Sequence, residues 1–225
     1  MIVSLWMTRN PVTVGPETPI AEAAKVMSQR SIRRLPVVVP ADGGLRLVGI
    51  VTTHDLARAF PPDLNPFVPD AWERGPRRPI AEVMSSTLKT TAPDIPIEEA
   101  ARILRDAKIG ALPVIDGGNL VGIITESDIF RAFIEVVGIR SAGIRITFDL
   151  AKDEDPVATV TDLGRRHGLR VASVLTLDHG GRRLGVARLQ GVWTEKFVDA
   201  VWKSGHRVLN VIFPEGITRD GPPVK

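Results

Sequence analysis

Two stretches of the chain carry a glycine, two apolar residues, a threonine, any two residues and an aspartate. They are Gly49-Ile50-Val51-Thr52-Thr53-His54-Asp55 and Gly122-Ile123-Ile124-Thr125-Glu126-Ser127-Asp128. The apolar residues ahead of each threonine read as the end of a strand, and the threonine as the start of a helix. A helix start offers unpaired backbone N–H groups and the positive end of the helix dipole. With a hydroxyl beside them, these make a site for an anion such as phosphate. The aspartate lies one turn inside, on the threonine's face, and a carboxylate there suits a pair of ribose hydroxyls. Arg58 and Arg131 each follow an aspartate by three residues. That face lets each pair with its aspartate or reach a phosphate. Thr-x-x-Asp is also the spacing of a helix capping box, in which both side chains serve the helix's own backbone. One copy alone favours the cap; two copies in the same setting favour a ligand site.

Other chemistry is scarce. The chain has no cysteine, which excludes disulfides, zinc–thiolate sites and thiol nucleophiles. His54, His167, His179 and His206 lack metal-ligand spacing. Ser127 has no base and orienting acid in triad arrangement. Asp153, Glu154 and Asp155 read as a solvated helix start. No enzyme activity and no metal or tightly bound cofactor is expected. Net charge is +3, the arginines are scattered in pairs, aromatics make up 5% and tyrosine is absent. That pattern argues against nucleic acid, which needs a concentrated basic face or stacking platform. No apolar run approaches a membrane span, and the first residues lack the features of a signal peptide. The expected location is the cytoplasm.

The elements that position the two segments come from an internal repeat. Met7-Thr8 recurs as Met84-Ser85, Pro19-Ile20 as Pro96-Ile97, and Leu35-Pro36-Val37 as Leu112-Pro113-Val114. Leu47-Val48-Gly49 recurs as Leu120-Val121-Gly122, four residues closer, so the first copy carries an insertion in the turn around Pro40 to Gly44. Each copy reads β-α-β-β-α. A short strand (Val12 to Val14; Leu88 to Thr91) precedes a helix with apolar residues at Ile20, Ala23, Ala24 and Met27, or at Ile97, Ala100, Ala101 and Leu104. Thr18 and Asp94 are the expected caps. The copies span residues 1–60 and 80–137. The prolines of 61–79 read as an extended linker, pinned by Phe67 and Trp72.

A third region, 138–214, reads β-α-β-β-α-β, the order of a ferredoxin-like domain. Its strands are expected at Arg145 to Leu150, Val171 to Leu177, Arg182 to Leu189 and Arg207 to Phe213. Its helices are Pro156 to His167, with Val157, Val160, Thr161, Leu163 and Gly164 inward, and one capped by Thr194. Residues 215–225 read as a loose tail. The fold class is α/β followed by α+β.

On these motifs the repeats resemble a CBS-domain pair, the Bateman module, and the last region more weakly resembles an ACT-like domain. The combined order is similar to that of bacterial acetoin-utilisation regulatory (AcuB-type) proteins. The resemblance implies a regulatory module that reversibly binds an adenosine ligand (AMP, ADP, ATP or S-adenosylmethionine) between the repeats. It assigns Thr52, Asp55, Thr125 and Asp128 to phosphate and ribose. It places adenine among Val12, Thr13, Val14, Ile32, Arg34 and Pro36, and among Thr90, Ile109, Ala111 and Pro113 in the second copy. It also implies a homodimer and a regulated protein partner. The loop Ala151 to Pro156 lacks the glycine usual in amino-acid-binding ACT domains, and reads as a dimerisation or partner surface. A constitutive scaffold with filled clefts is the alternative.

Overall fold

The computed structural model describes residues 1–137, 143–151, 153–192, 194–213 and 218–220. The expected start of the third region at Gly138 lies outside them. The chain divides into two compact units, Met1–Phe130 and Arg131–Lys225, with the division inside a helix.

The first unit contains β1 (Thr8–Arg9), α1 (Ile20–Gln29), β2 (Arg34–Ala41), β3 (Gly44–Thr52), α2 (Thr53–Ala59), α3 (Pro69–Arg74), α4 (Ile97–Ala107), β4 (Ala111–Asp116) and β5 (Asn119–Thr125). The helix α5 (Glu126–Val136) follows and crosses the division. The apolar stripe of α1 is buried at Ile20, Ala23, Ala24 and Met27, and that of α4 at Ile97, Ala100 and Leu104. Both helices end in a turn through the left-handed region at a non-glycine residue, Ser31 (φ 53°) and Lys108 (φ 53°).

The two repeats exchange their leading segments. β1 pairs antiparallel with β5, Thr8 opposite Ile123 and Arg9 opposite Gly122. Reciprocally, Ser85 bridges Ile50 of β3 through two hydrogen bonds of 2.9 and 3.0 Å. The same exchange caps the helices. Ile20 and Ala21 N–H donate to the carbonyls of Arg78 and Pro76, and Ile97 N–H to that of Met1. Thr18 and Asp94 therefore do not cap: Pro19 and Pro96 occupy the cap positions without a side-chain bond, and backbone from the linker (α1) or from the other repeat (α4) satisfies the helix start. Ile80 accordingly sits in the core of the first repeat, with Ile20, Leu35 and Leu56.

The expected leading strands shrink to single parallel bridges, Val14 to Val37 and Thr91 to Val114. The insertion lengthens the ladder, not the loop: β2 and β3 have 8 and 9 residues against 6 and 7 in β4 and β5. The 61–79 segment is not wholly extended. α3 begins at Pro69, where a missing N–H costs nothing, and it buries Ala71. Trp72 Nε1 donates to the Pro66 carbonyl at 3.0 Å, and Phe67 and Trp72 pack on the first repeat's core.

The second unit contains β6 (Ile144–Asp149), α6 (Pro156–Arg166), β7 (Arg170–His179), β8 (Arg182–Gln190), α7 (Glu195–Trp202), β9 (Val208–Ile212) and β10 (Thr218–Asp220). Its sheet runs β10-β9-β6-β8-β7, antiparallel throughout. The β7–β8 hairpin turns through Gly180 and Gly181 at φ 59° and 74°, the left-handed values a two-residue turn of this kind requires. Ile146, Phe148, Leu189, Phe197 and Val211 form the core. On α6, Val160 and Gly164 are buried, but Val157 and Thr161 are exposed, contrary to the helical pattern. Asp155 caps α6 by accepting from Val157 and Ala158 N–H, and Thr194 caps α7. Thr218–Asp220, placed in the loose tail by sequence, pair with β9.

Candidate functional site

Each Thr-x-x-Asp segment stands at a strand-to-helix junction, β3 to α2 and β5 to α5. Both are complete capping boxes. Thr52 N–H and hydroxyl donate to Asp55 Oδ2 at 2.8 and 2.7 Å, and Asp55 N–H donates to Thr52 Oγ1 at 3.3 Å. In the second copy the same bonds measure 2.9, 2.8 and 3.3 Å. Thr53 and Glu126 N–H are also taken, by the carbonyls of Arg33 and Gly110. The helix starts therefore spend most of their amides on the chain itself, and an anion there depends on side-chain cations instead. Asp55 keeps its Oδ1 uncommitted among the described residues. Asp128 is buried, 7% exposed.

The junctions open onto two clefts, and each is built from both repeats. The first, about 420 Å³, joins Thr52, Thr53, His54 and Asp55 of repeat 1 to Ser85, Thr87, Leu88 and Lys89 and to Lys108, Ile109, Gly110, Ala111 and Pro113 of repeat 2. The second, about 480 Å³, joins Thr125, Glu126 and Ser127 of repeat 2 to Thr8, Asn10, Pro11, Val12, Ser31, Ile32 and Pro36 of repeat 1. The expected residues were arranged copy by copy; the exchange of leading segments crosses them instead. Met84 lies over Gly49 and Met7 over Gly122, so closely that a Cβ on either glycine would strike the methionine. The recurrence of Met-Thr as Met-Ser at one offset from Leu-Pro-Val marked the two methionines as equivalent, but not the crossing.

Ile109, Ala111, Pro113, Val12, Ile32, Arg34 and Pro36 line the clefts. Thr13, Val14 and Thr90 do not. Val14 packs on the core, and Leu88 and Lys89 stand where Thr90 was placed. Arg58 lines a separate hollow of about 280 Å³ with Arg78 and Glu82. One more helical turn carries it off the cleft wall. Arg131 and Asp128 line neither cleft; Asp128 instead holds Thr125. Sequence reasoning missed Lys89 and Lys108. It also missed that Arg33 and Arg34 border both clefts, and that Arg34 Nη2 occupies the space a side chain at Gly110 would fill.

The second unit has its own cavity, about 530 Å³, between α6 and α7 over Ile146, Phe148 and Val208. At its edge His206 Nε2 meets Glu154 Oε1, and the two rings of His206 and Phe148 stack edge to face. Glu154 Oε1 and Oε2 also accept from Thr159 Oγ1 and Ala151 N–H. Glu154 is therefore part of a structured loop, not of a solvated helix start. Burial raises its pKa, but the Ala151 amide, the Thr159 hydroxyl and His206 together hold it below the ordinary glutamate value. No group of acids and histidines able to hold a metal occurs among the described residues, and no described helix is long and apolar enough to cross a membrane.

The CBS domain family model matches residues 2–62 and 80–135, more than half of the chain, and leaves the C-terminal part outside the match. A CBS domain-containing protein of Dictyostelium discoideum is 33% identical over 142 residues, 61% of this chain and 94% of that protein. An inosine-5'-monophosphate dehydrogenase of Aquifex aeolicus is 36% identical over 127 residues, which span 56% of this chain and only 23% of the enzyme. Among solved structures, a candidate acetoin utilization protein (AcuB) from Vibrio cholerae is 30% identical at a TM-score of 0.51, covering 62% of this chain and 95% of that one. The CBS domain pair of protein MJ0100, solved in complex with 5'-methylthioadenosine and S-adenosyl-L-methionine, is 30% identical at a TM-score of 0.48 and covers 59% of this chain and 95% of that one. With more than half of its length matched as two CBS repeats, the chain belongs to the CBS-domain family.

Proposed function

We propose that the chain is a regulatory module, not an enzyme, that reversibly binds adenine nucleotides or related adenosyl ligands in the two clefts between its CBS repeats. One observation carries this. Each cleft sets a helix-start threonine of one repeat against apolar walls from the other, Ile109 and Ala111 in one case, Val12 and Ile32 in the other, and in the first cleft the threonine's hydrogen-bonded acid, Asp55, lines the wall as well. Apolar walls suit a purine face, the Asp55 carboxylate suits ribose hydroxyls, and the arginines suit phosphate. Volumes of about 420 and 480 Å³ are in the range of small-ligand sites. A ligand touching both repeats in one cleft favours the arrangement in which both walls are in place. α5 begins at one cleft and runs past the first unit's last residue, so it is the segment that carries a change onward. We read the C-terminal unit as an ACT-like partner or dimerisation domain, in a cytoplasmic homodimer that acts on a protein partner.

A constitutive scaffold is the second reading, favoured by the capping boxes, which leave the Thr-Asp pairs internally satisfied. Isothermal titration with AMP, ADP, ATP and S-adenosylmethionine separates the two. The regulatory reading expects saturable binding by at least one compound, weakened about tenfold or more by Asp55→Ala or by a bulky Ile109→Trp. Absence of binding by all four compounds supports the scaffold.

A further inference from the structure

We propose that the two clefts divide adenosyl ligands by charge, the first taking a nucleoside di- or triphosphate and the second an adenosyl compound with at most one phosphate. This rests on the nucleotide reading above and adds which ligand goes where. With the helix-start amides largely spent on capping and on Arg33 and Gly110 carbonyls, phosphate must be met by side chains. The clefts differ sharply at equivalent positions. Lys89 in the first corresponds to Val12 in the second, and Lys108 to Ser31. Thr53 in the first corresponds to Glu126 in the second. Ser31 and Lys108 occupy the same left-handed turn at the end of α1 and α4, so the fold itself delivers each to its cleft. The first cleft therefore brings two ammonium groups that the second lacks, while each cleft has one carboxylate: Asp55 in the first, bonded to Thr52, and Glu126 in the second, near Arg34.

Arg33 and Arg34 do not even out this difference, because they border both clefts. The Arg34 guanidinium crosses the partition through the space left by Gly110, and a Cβ there would also lie 3.0 Å from Glu126 Oε2. In the second cleft Arg34 thus has the Glu126 carboxylate near it, which repels a polyphosphate and accommodates a cationic or uncharged adenosyl group. In the first cleft the two arginines add to Lys89 and Lys108.

The test is titration of the full chain with ATP, AMP and adenosine, in the wild type and two variants. The first is Lys89→Glu with Lys108→Asn, asparagine being chosen because it tolerates the left-handed turn. The second is Glu126→Lys. Both alter exposed side chains, so folding is not at stake. The wild type is expected to take one equivalent of ATP per chain. The lysine variant should lose ATP affinity about tenfold or more, with adenosine affinity changing by less than about threefold. Glu126→Lys should add a second equivalent of ATP. ATP affinity insensitive to the lysine variant, or ATP binding confined to the second cleft and abolished with it by Ile32→Trp, would overturn the division while leaving nucleotide binding intact. Failure of all three compounds to bind the wild type would overturn the nucleotide reading, and this inference with it.

Discussion

A Cβ placed on Gly122 would lie 2.5 Å from Met7 Sδ and 3.0 Å from the Thr8 carbonyl oxygen, a backbone atom held in β1. At Gly49 the obstruction is the flexible Met84 side chain alone. Gly122→Ala is therefore expected to cost about 1–3 kcal/mol, by overpacking that the backbone cannot relieve. Gly49→Ala should cost less, and Met84→Ala should reduce that cost further in the double variant. Urea unfolding of the wild type, the three single variants and the double variant measures this. The glycines stood out in the sequence as part of the helix-start pattern, but their reason was not legible. They make room for a methionine from the other repeat, and periodicity carries no information on what crosses over a strand. Glu154 belongs to the same scale. Its folded pKa is held below the ordinary glutamate value of 4.5. It therefore contributes stability that is present above that pH and lost as pH falls through the lower folded value. Between about pH 6 and 3, the wild-type protein should lose more stability than Glu154→Gln in parallel urea titrations. Equal losses would mean that Glu154 does not couple to the fold.

At the scale of elements, the repeat gave the order of helices and strands in the two copies and the apolar stripes of α1 and α4, but not the short strand β1, and it made the leading strands too long. Those strands are short because each leading segment serves the other repeat, supplying edge strand, helix cap and core residue in turn. Thr18 and Asp94 look like caps locally, and tertiary backbone contacts displaced them. The 61–79 segment shows the opposite effect. Proline content argues against helix, yet Pro69 sits at a position where it is tolerated, and burial of Ala71 against α1 holds the short α3 in place. Ala71→Glu should accordingly destabilise the protein by about 2 kcal/mol or more, since it forces a carboxylate into the first repeat's core. A solvated linker would tolerate the change within about 0.5 kcal/mol, as surface sites do. In the second unit, the antiparallel sheet and its two helices follow the alternating pattern closely. Val157 departs from it because the first turn of α6 is devoted to the Asp155 cap and faces solvent.

For the molecule as a whole, the candidate site was legible as a set of residue types and not as an arrangement. Ile109, Ala111 and Pro113 were named, but their partners Thr52 and Asp55 come from the other repeat, so neither repeat contains a complete cleft. Binding is then linked to the association of the two repeats, and each cleft's occupancy stabilises that association by mass action. The measurement that tests this most directly is thermal unfolding of the full chain across a concentration series of AMP and ATP, with Asp55→Ala and Ile109→Trp alongside. At about a hundred times its dissociation constant, a bound ligand should add about 2.7 kcal/mol, with the midpoint rising further as concentration increases. That rise should be strongly reduced in both variants, although their changes lie in different repeats. A midpoint indifferent to every adenosyl ligand, or a rise that Ile109→Trp leaves intact while Asp55→Ala removes it, would contradict a cleft built jointly by the two repeats.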